Sequence, residues 1–337
     1  MTTASGPNPL PIFNAFNAHT HTGVFIAAID LDVFTKIGEG ASTVAQIAQK
    51  TSASERGIRT LCDALVVMGL LRKSGSDYSL TEDAAVFLDR RSPASLASAA
   101  PFLHGKWLVE AFEHFTEAVR KGGTALPGAG SVEPDNPICV DFARGMMPMM
   151  MPAAQHIAEV LKAKEGKSWK VLDIAAGHGI FGITLAQQNP NAKIVAVDWK
   201  AVLKVAKEHA QRFGVADRLA TIPGSAFDVD FGKDYDVALI TNFLHHFDEA
   251  TCTSFLKKVH AALKPGGVAV TLEFVPNEDR VSPASAAWFS TIMLATTRSG
   301  DAYTFNDLKR MYEAAGFKDV SLHRFDPMPH SIVLGKK

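Results

Sequence analysis

From residue 168 onward, short apolar runs alternate with longer segments whose apolar residues recur every three or four positions. The apolar runs are WKVLDIAA, KIVAVDW, LATIPGS, YDVALITN and VAVTLEF. The segments between them, such as AVLKVAKEHAQRFGV and DEATCTSFLKKVHAAL, have helical spacing. Apolar strands separated by helices predict an α/β fold with a parallel, doubly wound sheet. At the end of the chain, DVSLHRF and HSIVLGKK predict a closing hairpin.

The first 90 residues have a different, mostly helical pattern. Ser42 or Thr43 is placed to cap a helix that runs through Gln49. The stretch 52–55, SASE, has the spacing of a capping box that opens a second helix through Val67. LLRKSGSDYSLT then alternates around a Gly-Ser turn, which predicts a short hairpin. Helix, turn, helix and hairpin together are the pattern of a winged helix.

Winged helices often bind DNA, and the second helix is the element that decides between binding and packing. It carries Arg56 and Arg59, but Glu55 and Asp63 offset them, and the rest is largely apolar. A recognition helix needs a basic, polar face for phosphates and base edges. The pattern therefore favours packing or dimerisation, with a ligand-responsive transcription factor as the alternative from another functional class.

The stretch between these two regions is predicted to be helical. PASLASAAPFLHGKWLVEAFEHFTEAVRKGG indicates one amphipathic stretch closed by Gly122 and Gly123. Further on, residues 146–151 hold five of the ten methionines. Pro148 and Pro152 should break a helix there. The methionines therefore predict either helix packing or a soft, adaptable wall of an apolar pocket.

Composition narrows the class of protein. The 337 residues include 34 basic and 35 acidic side chains, so no global field favours nucleic acid or an anionic membrane. Cys62, Cys139 and Cys252 lie far apart and form no zinc-site spacing. No signal peptide is apparent, and no apolar run approaches the roughly 18–20 residues of a membrane span. We expect a cytoplasmic protein that binds neither nucleic acid nor membrane.

A glycine-rich turn follows the first strand of the α/β region, in LDIAAGHGIFG. Asp173 closes that strand, and Gly177 and Gly179 let a ligand lie against the backbone. The second strand ends at Asp198, which is placed to accept hydrogen bonds from two ribose hydroxyls. The phosphate-binding pattern GxxxxGK[ST] is absent, and the third glycine of GxGxxG is out of register. The remaining pattern fits S-adenosylmethionine, which has no phosphates to bind.

Several further motifs carry a family resemblance: FARGM, VLDIAAGHG, VAVDW, NFLHHFDE, ALKPGG and LEFVP. With them the chain resembles the plant and bacterial small-molecule O-methyltransferases, the family that includes caffeic acid and acetylserotonin methyltransferases. The resemblance covers nearly the whole chain. It implies a class I, Rossmann-like methyltransferase fold with an N-terminal winged-helix dimerisation domain. We accordingly divide the chain into a dimerisation domain (1–100), a helical connector and substrate-pocket wall (101–165), and a catalytic domain that binds S-adenosylmethionine (166–337).

The resemblance also implies partners and a catalytic base. It implies an enzyme that uses S-adenosylmethionine, releases S-adenosylhomocysteine, needs no metal, and forms a homodimer whose N-terminal domain helps to close the partner's active site. The family's base is the first histidine of L-H-D-W, which corresponds to His245, while His246 replaces the aspartate. Histidine titrates near neutrality, so it is a suitable acceptor for a phenolic proton. Adjacent histidines make a poor metal chelate because their side chains diverge.

Two acids flank the base in the family, and this chain retains only one of them in place. Glu273 matches the first. At the second position the chain has Ala302, so Asp301, one residue earlier, is the candidate substitute. Where the family has an aspartate that contacts adenine, this chain has Ser225. The further cofactor-binding candidates are Ala175, Trp199, Ala226, Phe227 and Asn242.

The residues of the acceptor pocket match the family's motifs less closely than the cofactor-binding residues do. Phe142 and Met146 match the family's F-x-x-G-M, and Met293 matches a methionine beside the acceptor. The remaining candidates, chosen for their chemical character or position, are Trp107, Met150, His246 and Phe289. The sequence therefore predicts methyl transfer to the hydroxyl of an aromatic or polyketide-like small molecule. Methylation at carbon or nitrogen, or a non-methylating reaction with bound cofactor, stays open because of Ala302 and the histidine pair.

Overall fold

The computed structural model describes residues 6–128, 136–324, 326 and 328–337. The chain divides into two compact units, Met1–Ala100 and Pro101–Lys337. The finer, three-part division of the chain stays a prediction. Among the described residues, no helix combines the length and the apolar character needed to cross a membrane.

The N-terminal unit consists of helices around one short antiparallel hairpin. In chain order its elements are α1 (Leu10–Asp30), α2 (Val33–Gly38), α3 (Val44–Thr51), α4 (Glu55–Val67), β1 (Leu71–Ser74), β2 (Asp77–Leu80) and α5 (Glu82–Phe87). The predicted succession of helix, helix and hairpin is thus present in α3, α4, β1 and β2. Its core is built from side chains that are almost completely buried: Phe34, Ile47, Ile58, Leu65 and Tyr78.

The caps of these helices follow the sequence with one correction. Thr43 caps α3, and its hydroxyl accepts the Gln46 N–H at 3.3 Å. The capping box predicted to begin at Ser52 is wrong, because Ser52 has a left-handed backbone (φ 54°) that ends α3. Ser54 caps α4 instead, and its hydroxyl accepts the Gly57 N–H at 3.1 Å.

The second unit opens with helices that precede the large sheet. They are α6 (Ala100–Leu103), α7 (Lys106–Glu113), α8 (Phe115–Lys121), α9 (Pro137–Gly145) and α10 (Met147–Val160). The single stretch predicted before Gly122 is wrong, since the chain breaks at Gly105 and His114 into separate short helices. The expected helix break at the prolines is also wrong. Pro148 lies in the first turn of α10, where no N–H is needed, and the helix continues past Pro152 with its inner face buried.

A seven-stranded sheet forms the centre of this unit. Its elements are β3 (Trp169–Ile174), α11 (Ile180–Gln188), β4 (Ala192–Asp198), α12 (Lys200–Arg212), β5 (Leu219–Pro223), β6 (Tyr235–Thr241), α13 (Glu249–Ala262), β7 (Leu263–Phe274), α14 (Ala284–Thr296), α15 (Phe305–Ala314), β8 (Lys318–Arg324) and β9 (His330–Lys336). The strand order is β5-β4-β3-β6-β7-β9-β8. Strands β3 to β7 run parallel, and β9 is antiparallel to both of its neighbours. The predicted α/β fold and its closing hairpin are confirmed.

The topology determines where a ligand can bind. β4 and β6 lie on opposite sides of β3, so the strand order reverses at this point. In an open α/β sheet the crevice at the carboxyl ends of such strands is the usual binding site. The loops after β3, β4, β5 and β6 all meet at that edge.

Candidate active site and cofactor-binding loop

The loop after β3 is held in a conformation that favours glycine. Gly177 and Gly179 have φ angles of +56° and +72°, and Ala175 also has a positive φ, of +50°. A Cβ on Gly179 would lie 3.0 Å from the Cβ of Ala206. The loop therefore packs tightly against α12 and leads directly into α11, and its backbone carries no side chain at Gly177 and Gly179.

Asp198, at the end of β4, connects that strand to the glycine loop after β3. Its Oδ2 accepts the Gly177 N–H at 2.8 Å, and its Oδ1 accepts the Trp199 N–H at 2.7 Å. Burial raises the pKa of Asp198 to about 6, although the two backbone N–H groups act in the opposite direction. The residue keeps some solvent exposure, and a carboxylate can accept more than two hydrogen bonds. Its position fits a ligand that donates hydroxyl hydrogen bonds.

Asp173, predicted to contact the cofactor, lies deeper. It is fully buried, and its Oδ2 accepts the Gly182 N–H at 3.1 Å in the first turn of α11. Its Oδ1 has no hydrogen-bond partner among the described residues. Burial raises the pKa of Asp173 to about 7. The structure thus places this carboxyl beneath the glycine loop, where it connects β3 to α11.

The turn after β5 borders the same edge. The Gly224 N–H donates to the carbonyl oxygen of Asp198 at 2.9 Å. Within the turn, the Ser225 hydroxyl accepts the Phe227 N–H at 3.2 Å. Ala226 is partly buried, and Phe227 is 39% exposed. Ser225, Ala226 and Phe227 therefore lie near the end of β4, and their contact with a cofactor stays a prediction.

The histidine pair lies in the short 3-10 turn Leu244–His246 that follows β6. Nδ1 of His245 is in hydrogen-bonding contact with Oε2 of Glu273, near the end of β7. The other oxygen of Glu273 accepts the N–H groups of Phe243 and Leu244, at 3.0 and 2.9 Å. Both side chains are nearly completely buried. One carboxylate thus holds the imidazole and the backbone that carries it, and Nε2 is the ring nitrogen left for another partner.

Aromatic side chains surround this imidazole. The ring of Phe289 meets His245 edge to face at 4.9 Å, and it stacks on Phe274 at 3.8 Å. The ring of His246 lies 4.3 Å from that of His245. Burial, and secondly the neighbouring His245, hold the pKa of His246 well below its ordinary value. Phe289 and His246 therefore adjoin the predicted base.

Asp301 is not brought to the histidine. Its Oδ2 accepts a hydrogen bond from Arg280 at 3.0 Å, and its Oδ1 accepts the Ala302 N–H at 2.8 Å. The preceding Gly300 packs so closely on the histidine turn that a Cβ there would collide with the His245 carbonyl oxygen. The expected pairing of Asp301 with the base is therefore not found, because Arg280 and the local backbone bind its carboxylate.

Of the other pocket candidates, Phe142 and Met150 contact residues just after β3 and β6. Phe142 approaches the glycine loop, since a Cβ on Gly177 would lie 3.3 Å from its ring. Sδ of Met150 accepts a hydrogen bond from the amide of Asn242 at 3.6 Å, just beyond β6. Met146 and Met293 are buried, at 5% and 3% exposure, and Trp107 packs against Phe102 with its ring 5.6 Å away.

Comparison with known proteins identifies the family. A family model described as an O-methyltransferase domain matches residues 114–318, and a model described as an O-methyltransferase dimerisation domain matches residues 13–90. The chain belongs to the O-methyltransferase family. This confirms the resemblance found in the sequence, and with it an S-adenosylmethionine-dependent enzyme. The dimerisation-domain match indicates that copies of this O-methyltransferase associate.

Individual relatives agree with this assignment. A Nostoc punctiforme protein assigned as an O-methyltransferase is 46% identical, and its crystal structure matches with a TM-score of 0.95 over 98% of this chain and 100% of its own. The tetracenomycin polyketide synthesis 8-O-methyl transferase of Streptomyces glaucescens is 27% identical, covering 93% of this chain and 92% of its own. Human N-acetylserotonin methyltransferase in complex with S-adenosylmethionine is 23% identical with a TM-score of 0.80, covering 100% of this chain and 99% of its own. The last likeness shows the fold alone.

Two buried histidines of this O-methyltransferase, His178 and His330, were not among the site residues predicted from the sequence, although His178 lies within the motif VLDIAAGHG. Nδ1 of His178, inside the glycine loop, accepts the Ile180 N–H at 3.2 Å, and burial lowers the pKa of His178 to about 3. His330 begins β9 opposite Phe274, with the two rings 4.1 Å apart. Neither nitrogen of His330 has a hydrogen-bond partner among the described residues. Only the strand register brings His330 next to Phe274, and the local sequence does not reveal that register.

Proposed function

We propose that this O-methyltransferase methylates a hydroxyl group of an aromatic or polyketide-like small molecule, with His245 as general base and Glu273 as the group that orients it. The observation that carries the proposal is the contact of Nδ1 of His245 with a carboxylate that two backbone N–H groups hold in place. The same contacts would be superfluous for a histidine that only fills space.

The proton chemistry follows from this contact. A carboxylate accepts a hydrogen bond from Nδ1–H, which fixes the neutral tautomer whose lone pair is on Nε2. Nε2 can then accept the proton of an acceptor hydroxyl within hydrogen-bonding distance. The imidazolium that forms is stabilised by the negative charge of Glu273. General-base assistance of this kind typically contributes about 10²–10⁴-fold to the rate.

The cofactor-binding residues fit S-adenosylmethionine. When bound, this cofactor supplies a methyl group activated by attachment to a sulfonium. Gly177 and Gly179 leave the backbone open to close approach, and Asp198 has acceptor capacity for the ribose hydroxyls. We assign the adenine to Ser225 and Phe227, which lie together in the turn after β5, with the ring of Phe227 partly exposed. These residues would align the methyl donor with the acceptor, and such alignment can supply much of the rate.

The acceptor class is inferred from the pocket and from a relative. Phe289, Met150 and Phe142 offer aromatic and sulfur surfaces near His245 and the glycine loop. Pockets with few polar groups suit flat, mostly apolar molecules. The Streptomyces glaucescens relative is named for 8-O-methyl transfer in the synthesis of a polyketide, which supports an aromatic acceptor.

We also propose a homodimer in which the N-terminal domain helps to close the partner's active site. The first turns of α1 carry large apolar side chains that are more than half exposed in the single chain: Leu10, Ile12, Phe13 and Phe16. Exposed apolar groups of this kind typically mark a protein interface. Light scattering of the purified protein would detect the dimer, and Phe16→Asp should shift it towards the monomer.

Methyl transfer itself tests the proposed chemistry. Wild type, His245→Ala and the control His323→Ala, a partly exposed position on β8, would be incubated with labelled S-adenosylmethionine and a panel of phenols and naphthols. We expect labelled O-methyl product from wild type and the control, and at least about a hundredfold lower kcat for His245→Ala. Equal rates for all three proteins would refute the role of His245. Label attached to carbon or nitrogen would refute the proposed acceptor group.

A further inference from the structure

Lys258 on α13 directs its charge inward. Its Nζ donates hydrogen bonds to the carbonyl oxygens of Ala226, Phe227 and Val229, at 3.0, 2.8 and 2.7 Å. An ammonium group has three N–H bonds, so all of them are used on one short turn. The neighbouring Lys257 is exposed to solvent on the same helix, which shows that the inward direction is specific to Lys258.

Three carbonyl oxygens that converge on one point form a small cation site made of backbone. Without a cation their dipoles would repel one another and lack hydrogen bonds in a partly buried place. Nζ of Lys258 also lies 4.4 Å from the centre of the Phe231 ring, a favourable cation–π distance. The ammonium therefore stabilises one particular conformation of the turn that follows β5.

That turn is otherwise closed by its own hydrogen bonds. The Ser225 carbonyl accepts the N–H groups of Asp228 and Val229, both at 3.0 Å, and the Ser225 hydroxyl accepts the Phe227 N–H. Gly224 ties the turn to the end of β4 through the Asp198 carbonyl. The N–H groups of Phe227, Asp228 and Val229 are thus satisfied within the turn, whereas the carbonyl groups of Ala226, Phe227 and Val229 are satisfied by Lys258.

The turn contains the residues that we assign to the adenosine end of the cofactor, so this inference rests on the proposed function. We propose that Lys258 is a positioning residue for cofactor binding, which holds the turn 225–229 in the conformation that receives the adenosine. Its three N–H bonds point to backbone carbonyls, and it acts on the cofactor through the turn. Removing it should weaken cofactor affinity while leaving kcat at saturating cofactor nearly unchanged.

The residue at position 225 makes cofactor affinity depend more strongly on Lys258. The side chain at this position is a serine, whose hydroxyl accepts the Phe227 N–H and is thereby held within the turn. The turn therefore offers the adenine its shape, the ring of Phe227 and the remaining hydrogen-bonding capacity of one short hydroxyl. Shape is lost when a turn relaxes, so affinity in this chain should depend strongly on the group that keeps the turn rigid.

Calorimetric titration with S-adenosylhomocysteine tests the proposal without turnover. The variants are Lys258→Met, which keeps the length of the side chain without donors, Lys258→Arg, which keeps donors and charge, and the matched control Lys257→Met. We expect Kd to rise at least tenfold in Lys258→Met, to recover in part in Lys258→Arg, and to stay within twofold in Lys257→Met. Adenosine, titrated as the fragment that lies on the turn, should lose affinity by a similar factor.

The outcomes separate the possibilities. A folded Lys258→Met protein that binds S-adenosylhomocysteine within twofold of wild type would overturn the proposal and leave Lys258 a purely structural role, visible only in thermal melting. If Lys258→Met fails to fold, Lys258→Gln, with two donors and no charge, replaces it, and an unchanged Kd there has the same meaning. Wild type that binds neither S-adenosylhomocysteine nor adenosine would instead refute the proposed cofactor site itself.

Discussion

Glu273→Gln is the most informative single substitution, because it changes one carboxyl oxygen into an amide and leaves the shape nearly intact. In wild type, one oxygen accepts two backbone N–H groups and the other contacts Nδ1 of His245. The amide of glutamine has only one acceptor oxygen. If that oxygen stays on the backbone N–H groups, the NH₂ group faces Nδ1 and forces it to become an acceptor. The ring proton then moves to Nε2, and the lone pair required for general-base catalysis is lost.

The size of the effect follows from this geometry. Loss of general-base assistance should lower kcat by about 10²–10⁴-fold, which corresponds to roughly 3–5 kcal/mol of transition-state stabilisation. The backbone N–H groups keep an acceptor, so only the charge-assisted bond to His245 is lost. The free energy of unfolding should therefore fall by about 1–3 kcal/mol, and cofactor affinity should not change.

A series of phenols of decreasing pKa is the appropriate assay. An acceptor that is already ionised at the assay pH needs no base, so the rate deficit of Glu273→Gln should shrink as the acceptor becomes more acidic. His245→Ala should follow the same trend. A deficit that is equally large for acidic and weakly acidic phenols would refute the reasoning, since it would show that Glu273 acts on something other than proton transfer.

Two further predictions concern the second acid and the buried histidine of β9. Asp301→Asn should lower kcat by less than about threefold and stability by less than about 1 kcal/mol, because its carboxylate pairs with Arg280 near the surface; a hundredfold loss of kcat would restore Asp301 as an orienting acid. Burial, and secondly the neighbouring His245, lower the pKa of His330 from 6.5 to about 4. As the pH falls from 6.5 towards 4, the imidazole binds a proton in the unfolded chain but not in the folded one, so the free energy of unfolding decreases. In urea unfolding between pH 7 and pH 4.5, His330→Leu should therefore lose about 2–3 kcal/mol less than wild type, and identical pH dependence would contradict this assignment.

The features that sequence can predict are those set by local pattern. Apolar runs with β-branched residues identify β3 to β7, and the positive φ values of Gly177 and Gly179 agree with the glycine spacing. The histidine turn is recognisable because it directly follows β6. Helix α14 has no such signal, because ASAAWFSTIMLAT is apolar or small on nearly every side and therefore has no amphipathic period.

Contacts between segments that are far apart in the sequence cannot be predicted from the local pattern of residues. Lys258 and Lys257 are equivalent in sequence, yet only the packing of α13 against the turn after β5 decides which one points inward. His330 adjoins Phe274 because of strand register, and a shift of one residue would place it on the other face. Asp301 is next to the family's acid position, but proximity along the chain does not determine the direction of its side chain.

The second acid that flanks the base in the family is absent from this chain, and the backbone of the same segment packs against the histidine turn instead. Ala302 is fully buried, and the segment on both sides of it contacts the histidine turn. Gly300 lies against the His245 carbonyl, where any Cβ would collide, and the Tyr303 hydroxyl donates to the Phe247 carbonyl at 2.5 Å. The turn is therefore held by Glu273 on one side and by a closely packed backbone on the other. If that packing replaces the second carboxylate, Gly300→Ala should lower kcat although it removes no charge, whereas restoring an acid with Ala302→Glu should disrupt a buried contact and not improve the rate.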